Sequence, residues 1–246
     1  MRYDAASHGA GRGGMADTLI GLVAAGLFLL ATHFGIAGAR LRGALVGRLG
    51  VNAYRGLYSL VALAAFVWLA SAYAGAPTVP LWPSAPWQAW VPLVVMPLAL
   101  LLLVAAFSTP NPTAVGQEGL LAGGEPPVRG ILRVTRNPFL WGVGLWAVAH
   151  VVPNGDLGSL VFFGTLAVLA LAGSVRIDAK LARRLGLSWQ RYAARTSNLP
   201  FAAIAAGKQT LVWSEIGWWR FVLAVLVYGA LLHAHVWVFG VSPLPG

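Results

Sequence analysis

Residues 131–150 read ILRVTRNPFLWGVGLWAVAH. After Arg136 and Asn137 come twelve residues without a charge, Pro138 to Ala149, and then a histidine. A run this apolar that opens on a proline predicts a helix beginning at Pro138, because a first turn has no use for the missing N–H. Whether that helix belongs to a soluble core or to lipid is answered by composition. Of 246 residues, 58% are hydrophobic and 10% charged, and mean hydropathy is +0.73. Soluble domains do not have these values; a polytopic membrane protein does.

About twenty apolar residues cross a bilayer core. Working outward from 138–155, further stretches of this kind stand at 17–37, 54–75, 88–107, 157–175 and 218–240. The expected fold is an all-α polytopic transmembrane bundle of about six spans. A flexible tail is expected at 1–16, one transmembrane domain at 17–240 and a short tail at 241–246. Met15 before Ala16-Asp17 offers a second start. Cleavage of span 1 as a signal peptide near Ala37-Gly38-Ala39 is opposed by Arg40 and Arg42, which resist translocation.

The 17 Lys and Arg outnumber the 7 Asp and Glu, for a net charge of +10. Apart from Arg2 and Arg12, every cation follows span 1, 3 or 5, whereas 76–87 carries no charge and 152–156 only Asp156. The positive-inside rule makes the basic side cytoplasmic and puts both termini outside, as in a multi-pass protein of the bacterial inner membrane. Basic residues spread this way offer no platform for nucleic acid. The longest linker opens with Ile177, Leu181, Leu185 and Leu187 alternating with Lys and Arg, which predicts a basic helix lying on an anionic membrane surface. Most loop arginines read as topology determinants and lipid anchors. No internal repeat supports an inverted-repeat transporter.

With no cysteine in the chain, disulfides, thiolate ligands and covalent c-type haem are excluded. Histidines are the remaining ligands of interest. His8 belongs to the tail. His33 precedes Arg40 by seven residues, about 10 Å into the membrane, and His150 follows Asn137 by thirteen, about 20 Å. His233 and His235 are two apart, so they face different ways and suit interfacial roles. Ionisable groups inside spans default to function. His33 and His150 could ligate a metal or cofactor, or hydrogen-bond between helices. Trp146, four residues before His150, could wall a flat ligand, with Gly142 allowing close approach or serving helix packing. Arg55 could pair with an anionic group such as a propionate; snorkelling to lipid phosphate is the simpler role. Two histidines without an acidic residue inside the spans suit a haem better than a hydrolytic metal centre, and that haem would be b-type. Their depths differ by about 10 Å, which tilt must absorb.

Three blocks carry a resemblance: ATHFGIAGARLRG with AYRGLYS, then RVTRNPFLWGVGLWAVAH, then RYAARTSNLPFAAIAAGKQ. Over residues 18 to 210 the chain resembles the NnrU family, whose plant and cyanobacterial relatives include 15-cis-zeta-carotene isomerase. The resemblance implies an integral membrane protein, a link to nitrite and nitric oxide metabolism, and in the isomerase branch a haem b protein whose two proposed histidines match His33 and His150. The family's Arg-His-Pro is here Arg136-Asn137-Pro138, and a cysteine near the second histidine is missing from Ala147–Ala149. The same blocks resemble the isoprenylcysteine and phospholipid methyltransferase superfamily, where the matching histidine serves S-adenosylmethionine. Asn137 cannot titrate near neutrality, which makes that a minor alternative.

The expected function is a haem-b membrane protein of nitrogen-oxide metabolism, taking a small apolar ligand such as nitric oxide from the lipid bilayer. The alternative is a haem-dependent cis–trans isomerase of a membrane polyene. A third reading, an assembly factor or transporter, would need the loop arginines and neither His33 nor His150.

Overall fold

The computed structural model describes residues 12–36, 39–121 and 128–245. Among them every regular element is helical, with one isolated extended bridge between Pro80 and Asp156. The helices are α1 (Arg12–Ala31), α2 (Ala39–Leu49), α3 (Val51–Ala74), α4 (Trp90–Ser108), α5 (Ile131–Val134), α6 (Pro138–Asn154), α7 (Leu157–Leu185), α8 (Leu187–Arg195), α9 (Ala202–Ala205), α10 (Trp213–Ile216) and α11 (Trp218–Phe239). A π-helical turn, Thr32–Ile36, extends α1. Because α1 starts at Arg12, residues 12–16 of the expected tail are helical; His8 lies outside the described residues.

Five helical stretches are long and apolar enough to cross a membrane: Asp17–Gly35, Val51–Ala74, Pro86–Ser108, Leu157–Leu185 and Trp218–Phe239. They coincide with five of the expected spans. The remaining one is α6, whose 17 residues reach about 25 Å, short of the roughly 30 Å hydrocarbon core.

The chain divides into two compact units, one of Met1–Ser84 with His150–Leu169 and the other of Ala85–Ala149 with Ala170–Gly246. In the first, α1 and α3 form an antiparallel pair in which Phe28 meets Trp68 and His33 meets Tyr58. The start of α7 packs beside them. A Cβ on Gly26 would lie 2.7 Å from the Thr165 hydroxyl, so the small residue is what lets α1 and α7 approach. Asp156 caps α7: its Oδ1 accepts the Ser159 N–H at 2.9 Å. The 79–82 loop is tied to the α6–α7 turn by hydrogen bonds from Leu157 N to Val79 O and from Leu81 N to Gly155 O. The Trp82 indole adds a third tie, donating to the Val152 carbonyl at 3.0 Å.

In the second unit, α4 and α11 are antiparallel, joined by Tyr228 OH to Leu93 O at one end and by Arg220 to Ser108 at the other. Gly142 of α6 packs on Ala99 and Leu103 of α4, and Gly144 on Leu171 of α7. The basic end of α7 does not lie on a surface by itself. It continues the span, and Leu181 joins Leu102, Leu132, Trp189 and Tyr192 in a buried cluster, with Ile177 and Leu185 packed against it. Ile177, Leu181 and Leu185 therefore face protein, whereas Leu187, the first residue of α8, is exposed; a helix of 29 residues, about 43 Å, projects well beyond the hydrocarbon.

Candidate functional site

His33 sits in the π-helical turn that ends the first span, a local irregularity that recurs at functional sites. Its Nδ1 lies 2.9 Å from the Leu29 carbonyl, and since a carbonyl only accepts, Nδ1 carries the proton. In the neutral ring Nε2 then keeps its lone pair. A ligating imidazole is oriented in this way, by a backbone carbonyl on its other nitrogen. Tyr58 meets the ring edge-on at 5.7 Å, Tyr54 stacks on Tyr58, and the Arg42 guanidinium lies over Tyr54.

His150 ends a turn before α6 does. Its ring stacks on Phe163 at 5.4 Å with 27° between planes. Phe163 in turn meets Tyr73 and Phe162. Tyr73 stacks on Phe162 at 4.5 Å and hydrogen-bonds to Ser159 Oγ at 2.8 Å. Ser159 Oγ donates to Asp156 Oδ2 at 2.5 Å, so Tyr73 in turn donates to Ser159. The result is an aromatic wall with one polar edge.

Helix α3 measures the distance between the two histidines. His33 touches Tyr58, whereas Phe163, the stacking partner of His150, touches Tyr73. Fifteen residues of helix separate those tyrosines, about 22 Å along its axis, and the ring contacts that lead from them to the histidines are 5.7 Å at Tyr58 and 6.0 then 5.4 Å by way of Phe163. His33 has the tautomer of a ligand. Arg55 is exposed near the start of α3, as snorkelling requires, and Trp146 is half-buried on α6. His235 donates from Nδ1 to the Val241 carbonyl just past α11, and His233 is exposed. No group of three or more His, Cys, Asp or Glu suited to a metal occurs among the described residues.

A buried polar knot in the second unit escaped the sequence reading. Arg136 donates from Nε and Nη2 to Asp178 Oδ2 at 2.9 and 2.6 Å, and from Nη1 to the Thr196 carbonyl. Asn137, 3% exposed, donates from Nδ2 to Asp178 Oδ1 and Asn198 Oδ1. Trp141 Nε1 donates to the same Asn198 oxygen, and the Thr135 hydroxyl to the Asn198 carbonyl. Asn111 Nδ2 and Thr113 Oγ1 donate to the Arg136 carbonyl. Asn137 Oδ1 and Tyr192 OH are buried without a hydrogen-bond partner among the described residues. Nearby, Arg133 makes a two-point pair with Glu215, at 2.8 Å for each bond, while the Gly130 N–H donates to the same carboxylate at 2.7 Å. These contacts hold the Glu215 carboxyl down at about 2, Arg133 being the main cause. Gly130 has φ +58, and a Cβ there would lie 2.8 Å from the Glu215 carbonyl, so only glycine fits. The signal was present in charge pairing: between Arg176 and Arg220 the only acids are Asp178 and Glu215, and each takes one of the three arginines before α6, Asp178 Arg136 and Glu215 Arg133.

Apolar helices of spanning length, packed within each unit through glycine contacts, define a helical integral membrane protein. The chain belongs to the NnrU family, whose model, described as NnrU protein, matches residues 21–243. Over 84 residues it is 37% identical to the chloroplastic 15-cis-zeta-carotene isomerase of Arabidopsis thaliana, covering 33% of this chain and 22% of that one. Over 82 residues it is 35% identical to the protein of the same name from Zea mays, with the same coverage. The match thus spans about a fifth of those relatives' length. No solved structure matches.

Proposed function

We propose that this chain is a membrane-phase isomerase, turning one cis double bond of an apolar polyene to trans. The observation that carries the reading is the aromatic wall of His150, Phe163, Phe162 and Tyr73 at the end of lipid-spanning helices, together with the isomerase relatives. Flat rings give a conjugated chain a stacking surface, and His150 is the titratable group beside it. Cis–trans isomerisation consumes no co-substrate, so the site has only to hold the chain and lower the order of one bond. Haem b belongs to the same proposal, with His33, whose Nδ1 is held by the Leu29 carbonyl, as its ligand, and its iron would supply a Lewis-acid centre. The tyrosines and Arg42 around His33 are then its protein surroundings.

The second reading, a haem-b protein of nitrite and nitric oxide metabolism in the bacterial inner membrane, rests on the same His33 tautomer. Six crossings with both termini outside belong to either reading. They are supported by the two ends of α6: Arg136 is held by Asn111 and Thr113, just past the end of α4, and Gly155 by the loop that leads into α4.

The first test is co-expression with a pathway that accumulates the 15-cis isomer of zeta-carotene, followed by chromatography. Loss of that isomer with the wild type, and its persistence with His150→Ala, is the expected result; unchanged isomer ratios with the wild type overturn the isomerase reading. Reduced-minus-oxidised spectra after haem supplementation test the cofactor. A Soret band retained in His150→Ala and lost in His33→Ala is expected, and no band in the wild type removes haem from both readings.

A further inference from the structure

At the membrane boundary where α4 ends and α11 begins, Arg220 ties the two helices together. Its Nε donates to Ser108 Oγ at 2.7 Å, its Nη2 to the Ser108 carbonyl at 2.7 Å, and its Nη1 to the Ile216 carbonyl. The guanidinium lies 4.5 Å over the Trp219 ring, so its position is fixed from several sides. Beside it is a cavity of about 250 Å³ lined by Ser108, Thr109, Pro110, Arg129, Glu215 and Arg220.

The charges around this chamber do not balance. Glu215 is neutralised by its two-point pair with Arg133. Arg129 is exposed; its carbonyl accepts the Leu132 N–H, while its guanidinium, among the described residues, makes no hydrogen bond or ion pair and acts on Glu215 and Arg220 by charge alone. Two cations, Arg129 and Arg220, therefore face the space without an anion of their own. At about 30 Å³ per water molecule, the chamber holds far more than one ion's first contacts. A larger cavity of about 620 Å³ shares Ser108, Thr109 and Pro110 with it and adds the apolar side chains of Phe107 and Leu120.

Position selects the anion. Ser108 and Trp218 are span ends, and Trp213 and Trp218 are 62% and 76% exposed, as aromatic residues at the headgroup level are. A phosphate that reaches this depth beside exposed Phe107 arrives on a lipid. We propose that the chamber is a binding site for the phosphodiester of an anionic phospholipid, held between Arg129 and Arg220, with the acyl chains leaving past Phe107 and Leu120.

The test uses the full chain, delipidated in a neutral detergent and titrated with short-chain phosphatidylglycerol, phosphatidylcholine or inorganic phosphate, with binding read by native mass spectrometry. Phosphatidylglycerol is expected to bind most tightly. Arg129→Gln should weaken it about fivefold, the value of one cation at an anionic surface, and Arg183→Gln, an exposed cation on α7, should leave it unchanged. Equal weakening by both variants, or inorganic phosphate binding as tightly as the lipid, overturns the proposal. So does affinity that appears only in Glu125→Gln, which would give Arg129 to that carboxylate. The readout is lipid affinity, so it is independent of isomerase activity.

Discussion

Asp178 receives both residues that open α6: Arg136 on one carboxylate oxygen, at 2.6 Å, and Asn137 on the other, at 3.1 Å. The two guanidinium–carboxylate side chains are 13% and 15% exposed. Removing one partner of a buried pair leaves the other charge uncompensated, so Asp178→Ala is expected to cost about 3 kcal/mol, and Asn137→Ala, which deletes neutral donors, about 2 kcal/mol or less. Thermal unfolding in detergent measures both. Equal losses would mean that the charge pair is not what holds the knot.

The Arg133–Glu215 pair predicts a pH dependence of known sign. Folding lowers the Glu215 carboxyl from its ordinary 4.5 to about 2. A depressed acid stabilises the fold fully above its unfolded value, and that contribution shrinks as pH falls from 4.5 toward 2. The melting temperature of the wild type should exceed that of Glu215→Gln at pH 7, and the gap should narrow below pH 4.5. A gap that stays constant down to pH 3 would contradict the assignment.

Two glycine contacts differ in what they touch. At Gly26 the nearest obstacle is the Thr165 side chain, whereas at Gly142 it includes the Ala99 backbone carbonyl, 2.9 Å from the added Cβ. Gly26→Ala should cost about 1–3 kcal/mol and be largely rescued by Thr165→Ala. Gly142→Ala should not be rescued by Leu103→Ala, since the backbone stays. Melting temperatures of the four single and two double variants decide it; rescue at Gly142 would show that the Ala99 carbonyl yields.

Different ring partners make a prediction about the histidines. His33 meets Tyr58 and His150 meets Phe163, so their substitutions should have additive effects within about 0.5 kcal/mol. The melting cycle of His33→Ala, His150→Ala and the double variant is expected to close on that value. Strong coupling would mean that one ligand bridges them.

Five of the spans were legible because lipid demands length and apolarity, and both are written residue by residue. The start of α6 at Pro138 was legible for the same local reason. The knot was not, because Arg136, Asp178 and Asn198 are far apart in sequence and each alone reads as an ordinary surface residue. Leu181 and Leu185 misled for a related reason: an amphipathic face says that something apolar covers it, and protein or membrane would satisfy the pattern equally. The histidine depths counted from Arg40 and Asn137 differ by about 10 Å, and their aromatic contacts reach α3 at Tyr58 and, by way of Phe163, at Tyr73.

Gly142 and Gly144 are two residues apart, about 200° around a helix, and each meets a neighbour at closer than an ordinary Cβ contact, α4 on one side and α7 on the other. Helix α6 is thus keyed in rotation. Any roll would drive Leu103 or Leu171 into its backbone, and the bonds of Arg136 and Asn137 to Asp178 oppose a slide along its axis. Whatever Trp146 presents, it presents at a fixed angle and a fixed height.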